Sequence, residues 1–108
     1  MKLVIAIVSH DDANDVTRSL SGHGFSSTKL STTGGFLLAG NATLLVGVEE
    51  EKVDEVIEII REHSHSRKQM IHSTTDGFNL NFIPSMPVEV TVGGATVFVV
   101  DVERFEHL

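Results

Sequence analysis

Six segments of the chain carry the β-branched-rich or alternating apolar pattern of β-strands. Residues 3–8 form a continuous apolar run, which is typical of a central strand with both faces covered. Further strands are predicted, in chain order, over residues 25–31, 43–48, 68–73, 88–92 and 95–100. Gly47 within the third strand indicates a bulge or a close approach by another backbone or ligand. The pair Gly93-Gly94 between the last two strands predicts a two-residue hairpin turn.

Two segments have the three- and four-residue apolar spacing of amphipathic helices. The first has a cap at Asp11 or Asp12 and ends at Gly22 or Gly24, where glycine can terminate a helix. The second follows three consecutive glutamates, which suit a helix N-terminus, and ends near residues 63–65. Its apolar stripe consists of Val53, Val56, Ile57 and Ile60.

This order of elements predicts an α+β fold of the ferredoxin-like βαββαβ kind with an additional C-terminal hairpin strand. The 108 residues are expected to form a single domain over residues 1–108. Residues 74–87 combine turn formers with large apolar residues, which indicates an irregular loop packed on another surface. Two helices cover only one face of such a sheet, so we expect oligomerisation to cover the other face.

Composition narrows the classes of function. The formal net charge is −7 and the eight basic residues are scattered, which argues against DNA or RNA as a partner. The chain contains no cysteine, which excludes disulfides and thiolate chemistry and fits a reducing, cytoplasmic location. The apolar run at residues 3–8 is too short for a membrane span, so no membrane insertion is expected.

The glycine-rich segment over residues 34–41 is the strongest candidate for a binding site. Its three glycines allow close backbone approach, Asn41 offers an amide that can both donate and accept, and Phe36 offers an apolar wall. These features suit a flat, hydrogen-bonding guest such as a nucleobase. Equally, Phe36 and Leu37 could fill an interface between subunits, and the spacing alone leaves both interpretations open.

Other candidates for chemistry favour plain structural roles. His63, His65 and His72 could bind a divalent cation, but no carboxylate pattern completes a zinc site, and exposed histidines are the preferred interpretation. The acidic residues of the second helix indicate a solvated face. Because no nucleophile motif accompanies the serines and threonines, we predict no catalytic residue, no cofactor, no metal and no enzymatic activity.

Segments spread along the whole chain resemble the PII-like cyclic di-AMP receptors of Gram-positive bacteria. The match runs from end to end and nearly without gaps. The segments around residues 34–41 and 93–98 are specific to that family rather than to PII proteins in general. The residues that carry the resemblance lie at 3–8, 12–13, 24–25, 28–30, 32–37, 39–41, 47–48, 52–56, 87–90 and 92–99.

The resemblance implies a non-catalytic signal-transduction protein. It implies a homotrimer of ferredoxin-like subunits that binds cyclic di-AMP, a cyclic dinucleotide, at the clefts between subunits. Binding would reorder long loops that signal to an unknown downstream protein. The positions that match ligand-lining positions of the family are Thr28, Gly35, Phe36, Leu37, Asn41, Gly47 and Phe98. His107 falls near a C-terminal position that is usually glutamine.

Two positions depart from the family pattern. Ser26 and Leu38 stand where the family commonly has arginine. Each missing arginine removes a planar, charged donor, and one such contact is worth about 1–3 kcal/mol. The alternative prediction is therefore a PII-like sensor of another adenine nucleotide such as ATP, with weakened cyclic di-AMP binding.

Overall fold

The computed structural model describes residues 1–31, 40–72 and 87–108. These form six strands, two α-helices and one 3-10 turn. In chain order they are β1 (Lys2–Ser9), α1 (His10–Gly22), β2 (Thr28–Ser31), β3 (Asn41–Val48), the 3-10 turn (Glu50–Lys52), α2 (Val53–Ser64), β4 (Arg67–His72), β5 (Pro87–Val92) and β6 (Ala95–Asp101). The predictions for residues 32–39 lie outside the described residues, and so does the predicted loop at 74–87 except for Pro87, which begins β5.

The main sheet has four antiparallel strands in the order β2-β3-β1-β6. The predicted α+β class is confirmed, and this strand order is compatible with the ferredoxin-like arrangement. The fourth sheet position is taken by β6 and not by β4, the strand that directly follows α2. Strands β4 and β5 instead pair with each other in a separate two-stranded sheet.

The predicted hairpin turn at Gly93-Gly94 is therefore wrong. Strand β5 pairs with β4, while β6 pairs with β1 from Val8↔Ala95 to Lys2↔Asp101. Both glycines have positive φ, 80° and 93°, as a turn would require. The turn carries the chain from one sheet to the other, because the apolar run of β6 finds a longer apolar partner in β1 than in β5.

One face of the main sheet is covered by the two helices. Alternate residues of β1 and β3 point towards α1 and α2 and are buried, which gives the core. Its largest fully buried apolar side chains are Leu20, Leu44, Ile60, Val4, Val8, Val16, Val46 and Val56. The apolar stripe predicted for the second helix omitted Ile59, which is only 4% exposed. The predicted stripe was one residue too narrow.

The start of α1 differs from the prediction. Ser9 occupies the N-cap position, and Asp11 and Asp12 both lie in the first helical turn. Asp12 is 5% exposed and its carboxylate contacts Arg67. The side chain is therefore engaged in a tertiary ion pair rather than in capping. At the other end Gly24 has φ 87°, as expected for a glycine that follows a helix.

Candidate functional site

The second face of the main sheet is left open by the helices. It carries the other set of alternate residues on β1 and β3, which are mostly half-buried. Strand partners place Thr28, Leu45, Ile5 and Phe98 in one row across all four strands. Because residues opposite each other point to the same face, all four side chains lie on the open face. Phe98 is 52% exposed there.

A cavity of about 710 Å³ lies at one end of this open face. We call it the tail cavity, because the C-terminal residues form one of its walls. Its lining consists of Met1, Leu3, Ser26, Thr28, Leu45, Gly47, Val102, Phe105 and His107. Its volume is within the range of roughly 300–1,000 Å³ that is usual for small-molecule sites. Two predicted ligand residues, Thr28 and Gly47, are therefore brought together.

Gly47 leaves room in the tail cavity. Of the two alternatives predicted for this position, the bulge is wrong, since β1 and β3 pair one to one from Lys2↔Val48 to Ser9↔Asn41, and the close approach by a ligand stays a prediction. A Cβ atom built on Gly47 would meet no other atom within 4 Å. The glycine is exposed, so its backbone is accessible to a guest in the cavity.

Asn41 lies at the opposite end of β3. It lines two adjoining cavities of about 350 and 320 Å³, both of which also include Gly93. We call this pair the Asn41 cleft. Its walls come from β1 and the first turn of α1 on one side and from the end of β5 and start of β6 on the other. Six residue steps separate Asn41 from Gly47, a distance of about 20 Å along a strand.

Phe98 lies on the edge of the sheet away from Thr28. Among the described residues, β2 and β6 are the two outer strands of the sheet. Three strand spacings separate Thr28 from Phe98 within their common row, or about 14 Å. One chain therefore brings Thr28 and Gly47 together but does not bring Asn41 or Phe98 to them. Gly35, Phe36, Leu37 and Leu38 lie outside the described residues.

The base of the β4–β5 hairpin is joined to α1 beside the Asn41 cleft. Arg67 Nη2 lies 2.9 Å from Asp12 Oδ1, and Nη1 donates to the His65 carbonyl oxygen at 3.2 Å. The hydrogen bond and charge of Asp12 raise the pKa of Arg67 above its ordinary value. Gly93 packs against this group: a Cβ atom there would lie 2.5 Å from Arg67 Nη1 and 2.7 Å from the His65 carbonyl oxygen.

A second ion pair joins the start of β1 to the end of β6, near the tail cavity. Lys2 donates to Asp101, its partner across the β1–β6 pairing. The hydrogen bond from Lys2 lowers the pKa of Asp101, and the same bond raises the pKa of Lys2. This pair fixes the point at which β6 ends and the C-terminal residues turn towards the cavity.

Several residues that line the tail cavity or lie beside the Asn41 cleft were not predicted as site residues. Leu3 and Leu45 could have been found, because they alternate with the core residues and lie beside Gly47 in the β1–β3 pairing. Phe105, an aromatic residue in a mainly polar tail, offered a weaker signal. The ion pair of Asp12 with Arg67 joins residues 55 positions apart, and no local pattern indicates it.

The described residues give no support for a metal site or for a membrane-spanning helix. Within residues 1–31, 40–72 and 87–108, no three histidine or acidic side chains are placed to hold a metal ion together. Of the helices in those same ranges, none has the length and apolar character needed to cross a membrane.

Comparison with known proteins identifies a family and a similar solved structure. The model of a family described as "Cyclic-di-AMP receptor" matches residues 1–108, the whole chain. The crystal structure of a functionally unknown protein from Pediococcus pentosaceus is similar, with a TM-score of 0.76 and 45% sequence identity. That similarity covers 99% of this chain and 96% of the other. The chain belongs to the cyclic-di-AMP receptor family.

Proposed function

We propose that this protein is a non-catalytic, cytoplasmic signal-transduction protein that binds cyclic di-AMP between the subunits of a homotrimer. Family membership supports the ligand. One observation on this chain supports the site: the predicted ligand residues are divided between opposite edges and ends of one sheet. Gly47 and Asn41 lie about 20 Å apart along β3, and Phe98 lies on the outer strand opposite Thr28, so a site shared by two copies would bring these residues together.

A head-to-tail arrangement would join these halves. If the β6 edge of one copy approaches the β2 edge of the next, Phe98 of the first copy comes close to Thr28 of the second. Such a heterologous contact closes into a ring when the rotation between copies permits it. The half-buried apolar side chains of the open face, including Ile5 and Leu45, would be covered in the same assembly.

The chemistry of the proposed site suits a cyclic dinucleotide. Phe98 and Phe36 would stack on or flank adenine, while the amide of Asn41 and the hydroxyl of Thr28 would hydrogen-bond base or phosphate. Gly35 and Gly47 would allow close backbone approach. Binding would then change the order of the long loop predicted at residues 74–87 and signal to a downstream protein.

Titration calorimetry with cyclic di-AMP tests this proposal. We expect saturable binding with one ligand for each chain, in protein whose trimeric state has been checked by light scattering. Thr28→Ala should weaken binding roughly ten- to hundredfold, since one hydrogen bond to a charged group is worth about 1.5–3 kcal/mol. Ser21→Ala, an equally small change on the exposed side of α1, should leave affinity unchanged.

Absence of binding at high micromolar ligand, in a verified trimer, would overturn the cyclic di-AMP assignment. The second candidate, a sensor of ATP or another adenine nucleotide, is favoured by Ser26, which lines the tail cavity where the family has arginine. A thermal-shift panel of nucleotides separates the two, because a ligand that binds the folded state raises the melting temperature.

A further inference from the structure

The β4–β5 hairpin leaves the body of the protein at the Asn41 cleft. Asn41 and Gly93 line both parts of that cleft, and one part also includes Thr91 and Val92 at the end of β5. The His10 backbone N–H donates to the Gly40 carbonyl oxygen at 3.0 Å, which joins the start of α1 to the residue before β3. The cleft therefore borders α1, β3 and the hairpin as well as β1 and β6.

The hairpin has few attachments of its own at this point. Its two strands pair with each other from Arg67↔Val92 to His72↔Pro87 and with no strand of the main sheet in the described residues. A two-stranded hairpin is only marginally stable alone, so its direction depends on contacts at its base. The base contacts are the Asp12–Arg67 ion pair and the Gly94 N–H, which donates to the Ser64 carbonyl oxygen.

The ion pair is strong in its geometry and closely packed. Asp12 is almost fully buried, and Arg67 meets its two carboxylate oxygens at 2.9 and 3.4 Å. Two nitrogens of one guanidinium that meet both oxygens of one carboxylate fix orientation as well as distance. Gly93 allows this approach because it has no side chain, and its φ of 80° favours glycine.

We propose that Asp12 and Arg67 are positioning residues that fix the base of the β4–β5 hairpin on the Asn41 cleft. Through them a ligand held at Asn41 and the direction of the hairpin are coupled. The ligand part of this inference rests on the proposed function. Neither side chain need touch the ligand, because both act through Gly93, which lines the cleft.

Hydrogen exchange measured by mass spectrometry tests the positioning role. In Asp12→Asn, we expect the amides of residues 67–72 and 88–92 to exchange roughly ten- to hundredfold faster, as for the loss of a charged hydrogen bond. The amides of β1 should keep their wild-type rates. Asp15→Asn is the matched control, because Asp15 forms an exposed pair with Arg18 at 3.7 Å on the same helix.

A second pair of variants leaves the charges in place. Gly93→Ala should also loosen the hairpin base, since its Cβ would overlap Arg67 Nη1 and the His65 carbonyl oxygen. Gly94→Ala has a similar positive φ but meets its nearest atom only at 3.8 Å, so it controls for backbone strain. We expect faster hairpin exchange in the first variant than in the second.

Ligand titrations complete the test. Cyclic di-AMP should slow hairpin exchange in the wild-type protein, and Asp12→Asn should lose this effect and bind about tenfold more weakly. The positioning role is overturned if Asp12→Asn matches Asp15→Asn, or if β1 exchange rises as much as hairpin exchange. If the wild-type protein binds no cyclic di-AMP, the proposed function fails, and the exchange rates alone still decide the positioning role.

Discussion

Ser26 is the residue of the described tail cavity at which we expect ligand preference to be tuned. It lines the tail cavity close to Thr28 and Gly47, where the resemblance to the family implies an arginine. A serine hydroxyl offers one short donor, whereas a guanidinium offers five donors and a planar face for stacking. An arginine at this position would add to the tail cavity a positive charge and a stacking surface that serine does not provide.

Ser26→Arg should restore that contact. We expect cyclic di-AMP to bind about tenfold more tightly, because an arginine–phosphate contact contributes on the order of 1.5–3 kcal/mol, part of which is lost in ordering the side chain. Calorimetry at constant ionic strength measures the change. Ser21→Arg adds the same charge to exposed α1 and should leave affinity unchanged. Equal gains from both variants would show a general charge effect and no specific contact.

Strand β6 shows, at the scale of elements, where sequence reasoning succeeds and where it ends. Its existence and approximate bounds follow from its β-branched composition, and the helices follow from their apolar spacing. The pairing partner of β6 does not follow from the sequence, because a short loop with two glycines is compatible with a hairpin turn and with a crossing between sheets. The choice depends on β1, ninety-odd residues earlier in the chain.

The Lys2–Asp101 pair closes the β1–β6 pairing and should make stability depend on pH at both extremes. The pKa of Asp101 is lowered from 3.8, so its contribution is present above that value and is lost as pH falls through the lowered pKa. The pKa of Lys2 is raised from 10.5, so its contribution is present below that value and is lost as pH rises through the raised pKa.

Asp101→Asn should therefore melt below the wild-type protein near neutral pH, and the two melting temperatures should converge in acid below 3.8. Thermal unfolding followed by circular dichroism across this range measures the difference. Glu103→Gln, an exposed acidic position in the same tail, is the control. A difference that persists unchanged in strong acid would contradict the assigned role of the ion pair.

At the scale of the whole molecule, each chain carries two incomplete halves of the proposed site. Thr28 and Gly47 line the tail cavity, Asn41 lies at the other end of β3, and Phe98 lies on β6, the outer strand of the described sheet opposite β2. The resemblance to the family identified these residues individually. It could not show how a single chain divides them, because that division depends on strand order and register.

Mixed trimers test the division. Thr28→Ala and Asn41→Ala chains should each bind cyclic di-AMP weakly when alone. When the two are co-expressed, one contact in each mixed trimer joins two intact halves, so roughly one quarter of all sites should regain wild-type affinity if assembly is random and head-to-tail. Calorimetry on the mixture measures this fraction. If each site lay within one chain, mixing would restore none.

The half-buried apolar row on the open face has a further consequence. Ile5, Leu45 and Phe98 leave apolar surface that a second copy of the chain would remove from water. In the proposed trimer, folding and association would be linked equilibria, and dilution would lower the stability of the fold. A nucleotide that binds only the assembled form would offset dilution by mass action, so protein abundance and nucleotide abundance would jointly set how much of the chain is in its active form.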